Sequence, residues 1–164
     1  MTALTVMQKK DIKILSIRSS NTDFACAVIE GTQEAPKLIL CELTSFPKGY
    51  EEHSLLHWFY QEIAGKLSDH NPAFLAVKAA EPSVRRSNSL ELRIRIEGVA
   101  LMAAGEKGCE HACRKVKSTI SKDLGMKGRA KYLETEFDPS ALAEFGSLSA
   151  KEKEAVLAGW SCLD

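Results

Sequence analysis

No apolar run in the sequence approaches the ~20 residues that a membrane-spanning helix needs, which argues against a membrane protein. The N-terminal stretch MTALTVMQKKD places its lysines after a short apolar segment and lacks a cleavage pattern, so no secretory signal is expected. Cysteines number 5, odd in count and without framework spacing, which points to reduced thiols in a cytoplasmic setting rather than a disulfide scaffold. There is no internal repeat, no linker and no low-complexity segment, and a collagen or coiled-coil period is absent. A phosphate-binding G-x-x-x-x-G-K-[ST] loop is also missing, because Gly125-Met126-Lys127-Gly128-Arg129 has the wrong spacing. What remains is a 164-residue chain, 45% hydrophobic and 27% charged, read as one globular domain over 1–164 that needs no staple to bury its core.

The formal net charge of +0 hides an uneven distribution. Residues 1–83 carry 8 basic and 10 acidic side chains, residues 84–133 carry 12 and 5, and residues 134–164 carry 2 and 7. A basic middle third is the footprint expected of phosphate contact. The competing explanation is that the acidic C-terminal segment folds back and neutralises it.

Alternation and turn chemistry predict strands over 11–19, 22–30 and 37–44, separated by Ser19-Ser20-Asn21 and by a turn ending at Pro36. Leu55, Leu56, Phe59, Ile63 and Leu67 recur at helical spacing, predicting a helix over 51–68. A short apolar strand follows over 73–79, and Ser89 is the expected cap of a helix over 90–104. A fifth strand is expected over 109–113 and a basic helix over 114–123. Asp138 and Ser149 read as helix N-caps, the second opening a last helix that runs to about Trp160. Three strands in succession, then strand–helix alternation, imply an α/β protein with a mixed sheet and helices on both faces.

Four segments in order, ILSIRSSNTDFACAVIE, PAFLAVKAAE, LRIRIEGVALMAAGEKG and CRKVKSTISKDLGMKGRAK, resemble the RuvC-like Holliday-junction resolvases over about residues 11–161. The resemblance implies the ribonuclease H-like fold with a five-stranded mixed sheet in the order 3-2-1-4-5. It also implies four carboxylates around two magnesium ions: one on the first strand, one at the end of the fourth, and two spaced i, i+3 on the last helix. Carried onto this chain, those positions are Arg18, Lys78, Lys151 and Glu154. A unit charge about 4 Å from a divalent ion interacts by roughly 8 kcal/mol at an effective dielectric near 20. Cations at these places reverse the sign of that attraction, so metal-dependent cleavage there is not expected, and no catalytic residue, metal or cofactor is assigned.

Two readings of the altered site follow. In one, Arg18 and Lys78 are neutralised internally, with Glu154 as counter-ion, because buried charges must be paired. In the other they capture a phosphate directly. The resemblance then implies a catalytically inactive domain that binds branched or structured nucleic acid, with Arg85, Arg86, Lys115, Lys117, Lys127 and Arg129 as further contacts. The alternative from another class is a dimeric structural or protein-interaction module keeping only the fold, its two-fold interface near the small-residue helix segment GVALMAA. A third, a relocated enzyme site around Glu81 and His111, lacks a convincing ligand set. Cys109, His111 and Cys113 would share one face of a strand, but i and i+4 on a strand lie ~13 Å apart, too far for one zinc ion.

Overall fold

The computed structural model describes residues 11–127 and 133–164. The chain opens with an antiparallel meander, β1 (Ile12–Ser19), β2 (Asp23–Gly31) and β3 (Pro36–Ser45), and then enters helix α1 (Glu52–His70). Strand β4 (Phe74–Lys78) returns parallel to β1, and helix α2 (Asn88–Glu106) leads to β5 (His111–Lys115), parallel to β4. The C-terminal part holds α3 (Lys117–Asp123), α4 (Leu133–Glu136), a 3-10 turn over Ala143–Ser147, and α5 (Ala150–Trp160). The sheet order is β3-β2-β1-β4-β5. This is the ribonuclease H-like sheet, with α1 and α2 on one face and α5 on the other. None of the helices, among the described residues, is long and apolar enough to cross a membrane.

The period-two alternation of the strands sorts the side chains into two cores. Leu15, Ile17, Phe24, Cys26, Val28, Leu75 and Val77 pack with α1 and α2, whereas Ile14, Ala25, Ala27, Ile29 and Ala76 pack with α5. Small residues on the second face let α5 lie close to the sheet. A Cβ on Gly159 would sit 2.8 Å from Ser16 Oγ and 2.9 Å from Ile29 Cγ2, so the backbone of α5 lies directly on the side chains of β1 and β2 there. Just beyond, the indole of Trp160 donates to Gln33 O at 3.0 Å and meets Phe137 edge-on. At the other end Ser149 and Glu152 close a reciprocal capping box.

Three boundaries differ from the sequence expectation. The fifth strand lies two residues later than 109–113, because Gly108 turns with φ +75 and Cys109 N still bonds to Ala104 O at the end of α2. Arg114 and Lys115 are therefore strand residues, not the start of a helix. Helix α2 begins two residues early, capped by Ser87, whose Oγ accepts from Leu90 N at 3.1 Å. Asp138 caps no α-helix; its Oδ1 accepts from Ser140 N at 3.0 Å, and the helical piece that follows is the 3-10 turn after Leu142.

Candidate functional site

Arg18 shares its face of β1 with Ile14 and Ser16, and Lys78 shares its face of β4 with Ala76, so both side chains start on the α5 side of the sheet. Lys151 and Glu154 lie on α5 above them. Arg18 Nε donates to Glu154 Oε2 at 2.5 Å, with the two side chains 18% and 14% exposed. The other guanidinium end donates from Nη1 to Ser19 O at 3.0 Å. Lys117 Nζ approaches Glu154 Oε1 at 3.6 Å and pairs more tightly with Glu134 at 2.8 Å. Burial pushes the Glu154 carboxyl up, but the Arg18 hydrogen bond and charge, with Lys78 and Lys117, hold it below the ordinary carboxylate range.

Lys78 is the most enclosed of the four, 3% exposed, and Glu154 is not its bonded partner. Its ammonium donates to Ala79 O at 2.7 Å and to Glu81 Oε1 at 2.9 Å. Glu81 Oε1 also accepts from Lys117 N at 3.0 Å. Burial raises the Glu81 pKa, and those two donors more than offset it. Lys151 sits in the first turn of α5, where a cation opposes the helix dipole. Asp23 compensates, accepting from Lys151 Nζ at 2.6 Å, and its carboxyl is held low by that contact and by Ser20 against the upward push of burial.

Sequence reasoning missed Arg93. From α2 it donates to Glu97 Oε1 at 3.2 Å and to Lys78 O at 3.2 Å. Burial, and then the Arg18 charge, hold its guanidinium below the ordinary value. Glu97, fully buried, also accepts from Ala80 N at 3.0 Å and from Arg114 Nη2 at 2.5 Å. Arg93, Arg18 and Lys151 line one shallow pocket of about 300 Å³ with Ser20, Asn21 and Ser89, beside the N-terminus of α2. Among the described residues, Arg18 Nη2 and Arg93 Nη1 have no acceptor, and neither is a buried unsatisfied atom, so both reach solvent. Two guanidinium edges, an ammonium and a helix N-terminus around one opening favour an anion.

This donor set does not fit a divalent cation. Hard metal ions take several oxygen ligands. Here one carboxylate is already bonded to a guanidinium, and among the described residues no group of three or more His, Cys, Asp or Glu side chains could hold a metal. The relocated pair is not assembled either. Glu81 follows the C-terminal end of β4, whereas His111 opens β5 opposite Phe74 and stacks on its ring at 4.9 Å. Cys109 precedes β5 and lies 3.8 Å from Pro72 O, so the C-x-H-x-C residues do not share one strand.

The expected nucleic-acid contacts divide into two groups. Lys115 is mostly buried, donating to Asp123 Oδ2 at 2.7 Å and to Ser161 Oγ at 3.1 Å, and Lys117 is taken up by Glu134 and Glu154. Both are engaged inside the molecule by acids from α3, α4 and α5. Arg85 and Lys127 are exposed, as is Arg86, which meets Glu91 at 2.7 Å. Arg129 lies outside the described residues.

No family model matches the sequence, and no curated protein does. The fold is similar to solved structures of junction resolvases. RuvC of Thermus thermophilus superposes with TM-score 0.69 at 15% identity over 92% of this chain and 92% of that one. The T. thermophilus RuvC solved in complex with Holliday junction substrate gives TM-score 0.69, 16% identity and coverage of 92% and 91%. The yeast mitochondrial Holliday junction resolvase gives TM-score 0.58, 13% identity and coverage of 90% and 76%. The sheet order, the crossing of α5 and these superpositions together identify the RuvC-like form of the ribonuclease H-like fold.

Proposed function

We propose that this chain is a catalytically inactive RuvC-like domain that binds structured or branched nucleic acid through its phosphates, without metal-dependent cleavage. The observation that carries the reading is the convergence of Arg18, Arg93 and Lys151, from three elements, on a pocket with two unused guanidinium edges. The ion pairs of Arg18 and Lys151 exchange a carboxylate for a phosphate when the backbone enters. Exposed Arg85, Arg86 and Lys127 extend the contact, while Lys115 and Lys117 hold the scaffold. A neighbour in fold solved with Holliday junction DNA makes a four-way junction the first ligand to try. The five free thiols suit a cytoplasmic setting, which belongs to the same proposal.

The test is fluorescence anisotropy with a labelled four-way junction and a matched duplex across a salt series, alongside gels with magnesium or manganese. The expected outcome is binding that weakens steeply with salt, a preference for the junction, and intact DNA. Arg93→Ala and Arg85→Glu should each reduce the salt slope by about one. Cleavage of the junction, or no binding at low salt, overturns the reading.

One observation favours self-association as a second reading. Ile94 and Met102 on α2 are 46% and 57% exposed, and between them a Cβ on Gly98 would meet nothing within 4 Å. This i, i+4, i+8 stripe is an open apolar face on which a second copy can pack. Light scattering of the wild type and of Met102→Glu tests it: a dimer that the substitution dissociates supports the reading, and a monomeric wild type at high concentration refutes it.

A further inference from the structure

Beside the cationic cavity lies a second one of different character. Pro82, Val84, Leu90, Ile94 and Val116 line an opening of about 390 Å³ where the loop after β4 meets α2 and the start of α3. That volume falls within the roughly 300–1,000 Å³ of small-ligand sites. Val84 and Leu90 line both cavities, so the two lie on either side of one apolar ridge. Val84 and Ile94 are 49% and 46% exposed, and Ile94 also belongs to the apolar stripe of α2.

The rim is held in place by local structure. Glu81-Pro82-Ser83-Val84 forms a turn closed by Val84 N donating to Glu81 O at 3.1 Å, with proline at the position where its fixed φ favours a turn. The turn is tied at its start, because Glu81 Oε1 accepts from both the Lys78 ammonium and Lys117 N. The chain then enters α2 through the Ser87 cap. Arg114 lines the same cleft. Its Nε and Nη2 donate to the buried Glu97 Oε2 at 2.9 and 2.5 Å, and the side chain is still 40% exposed. Its Nη1 has no acceptor among the described residues. A guanidinium fixed along one edge and open elsewhere is a stacking and hydrogen-bonding surface for a flat polar ring.

We propose that the two cavities are halves of one site for an unpaired nucleotide. Its phosphate enters the cavity of Arg18, Arg93 and Lys151, its sugar crosses the ridge of Val84 and Leu90, and its base lies in the apolar cleft against Arg114. The inference rests on the phosphate-binding reading above and adds the base to it.

The chemistry of the two sides sorts the two ends of the ligand. Cations and the first turn of α2 favour the phosphate on one side. Aliphatic side chains with one guanidinium on the other suit a base, which is apolar on its faces and polar at its edge. An alkyl chain is a poorer occupant, because it would cover Arg114 and the Glu81 carboxylate without replacing their hydrogen bonds to water. A base inside a duplex has both faces stacked, so only an unpaired one can enter.

Magnetic resonance titration of the full chain with adenosine monophosphate, ribose phosphate and inorganic phosphate, at equal ionic strength, separates the parts. Stacking of a base is worth a factor of about 5 to 150 in affinity, so adenosine monophosphate should bind tighter than ribose phosphate by that margin. Thr119→Trp, at an exposed position lining the cleft, should bring adenosine monophosphate down to the affinity of ribose phosphate. On DNA, a duplex with one bulged nucleotide should bind tighter than the same duplex with an abasic bulge. Equal affinities for adenosine monophosphate and ribose phosphate, or for the bulged and abasic duplexes, overturn the base cleft and leave phosphate binding standing. No response to any of the phosphates or duplexes overturns both. The ligand comparisons use the wild type alone, so a variant that fails to fold leaves the result readable.

Discussion

Replacing Glu154 by glutamine keeps the size of the side chain and removes the charge that Arg18 leans on. The Arg18 and Glu154 side chains are 18% and 14% exposed, so little water is at hand to take the place of the carboxylate. Breaking a buried pair costs about 3–5 kcal/mol, and the residual exposure together with the surviving bond from Arg18 Nη1 to Ser19 O places this one near 3 kcal/mol. In a chain of this length that is a fall in melting temperature of roughly 6–12 °C. The pH dependence has a defined sign. Because the folded-state pKa of Glu154 is depressed, its stabilisation is fully present above the unfolded value of about 4.3 and is lost as pH falls through the lower folded value. The wild type should therefore lose stability on acidification below about pH 4.3, with Glu154→Gln losing less over the same range. If the pocket takes phosphate, an anion fills the place of the missing carboxylate and restores part of the melting temperature of Glu154→Gln. Differential scanning fluorimetry in phosphate and in chloride of equal ionic strength measures this. An unchanged melting temperature refutes the energetic argument; equal effects of phosphate and chloride refute the anion site.

Three further outcomes follow from the packing. Gly159→Ala should destabilise by about 1–3 kcal/mol in urea titrations, since its new methyl meets Ser16 Oγ at 2.8 Å, and Ser16→Ala should relieve this only in part because Ile29 Cγ2 remains at 2.9 Å. Ser16→Ala alone should be neutral or stabilising by about 1 kcal/mol, because the buried hydroxyl has no hydrogen-bond partner among the described residues; a clear loss in the same titration contradicts that. Glu97→Gln should cost about 3–5 kcal/mol, because a fully buried carboxylate then ceases to neutralise Arg93 and Arg114; a near-wild-type urea midpoint contradicts it.

The sheet was legible because its strands differ from its helices in period. Alternation in DIKILSIRS and TDFACAVIE and helical spacing from Leu55 to Leu67 leave few ways to order the elements. The fifth strand was misplaced because Arg114 and Lys115 break any apolar pattern there. Their charges are met by Glu97 and Asp123, and the first of these partners is distant in sequence. Arg93 was overlooked for a related reason. An i, i+4 Arg–Glu pair on a helix reads as a solvated face, and only the packing of α2 on β4 shows that Glu97 is inside. Lys78 and Glu81 both stand out in the sequence, where Glu81, flanked by Lys78 and Arg85, reads as a poor metal ligand. The bond between them shows the acid as the counter-ion of that lysine.

The two ends of α5 are attached by different forces. Its last turn is wedged against β1 by a glycine and anchored by an indole, contacts that salt barely affects. Its first turns rest on oppositely charged neighbours, whose attraction mobile ions shield over ~10 Å at 0.1 M. Concentrated electrolyte therefore loosens chiefly the outermost hold, Lys151 on Asp23, while the enclosed Arg18–Glu154 pair and the wedged rear stay in place, and hydrogen exchange should rise first at the opening turn.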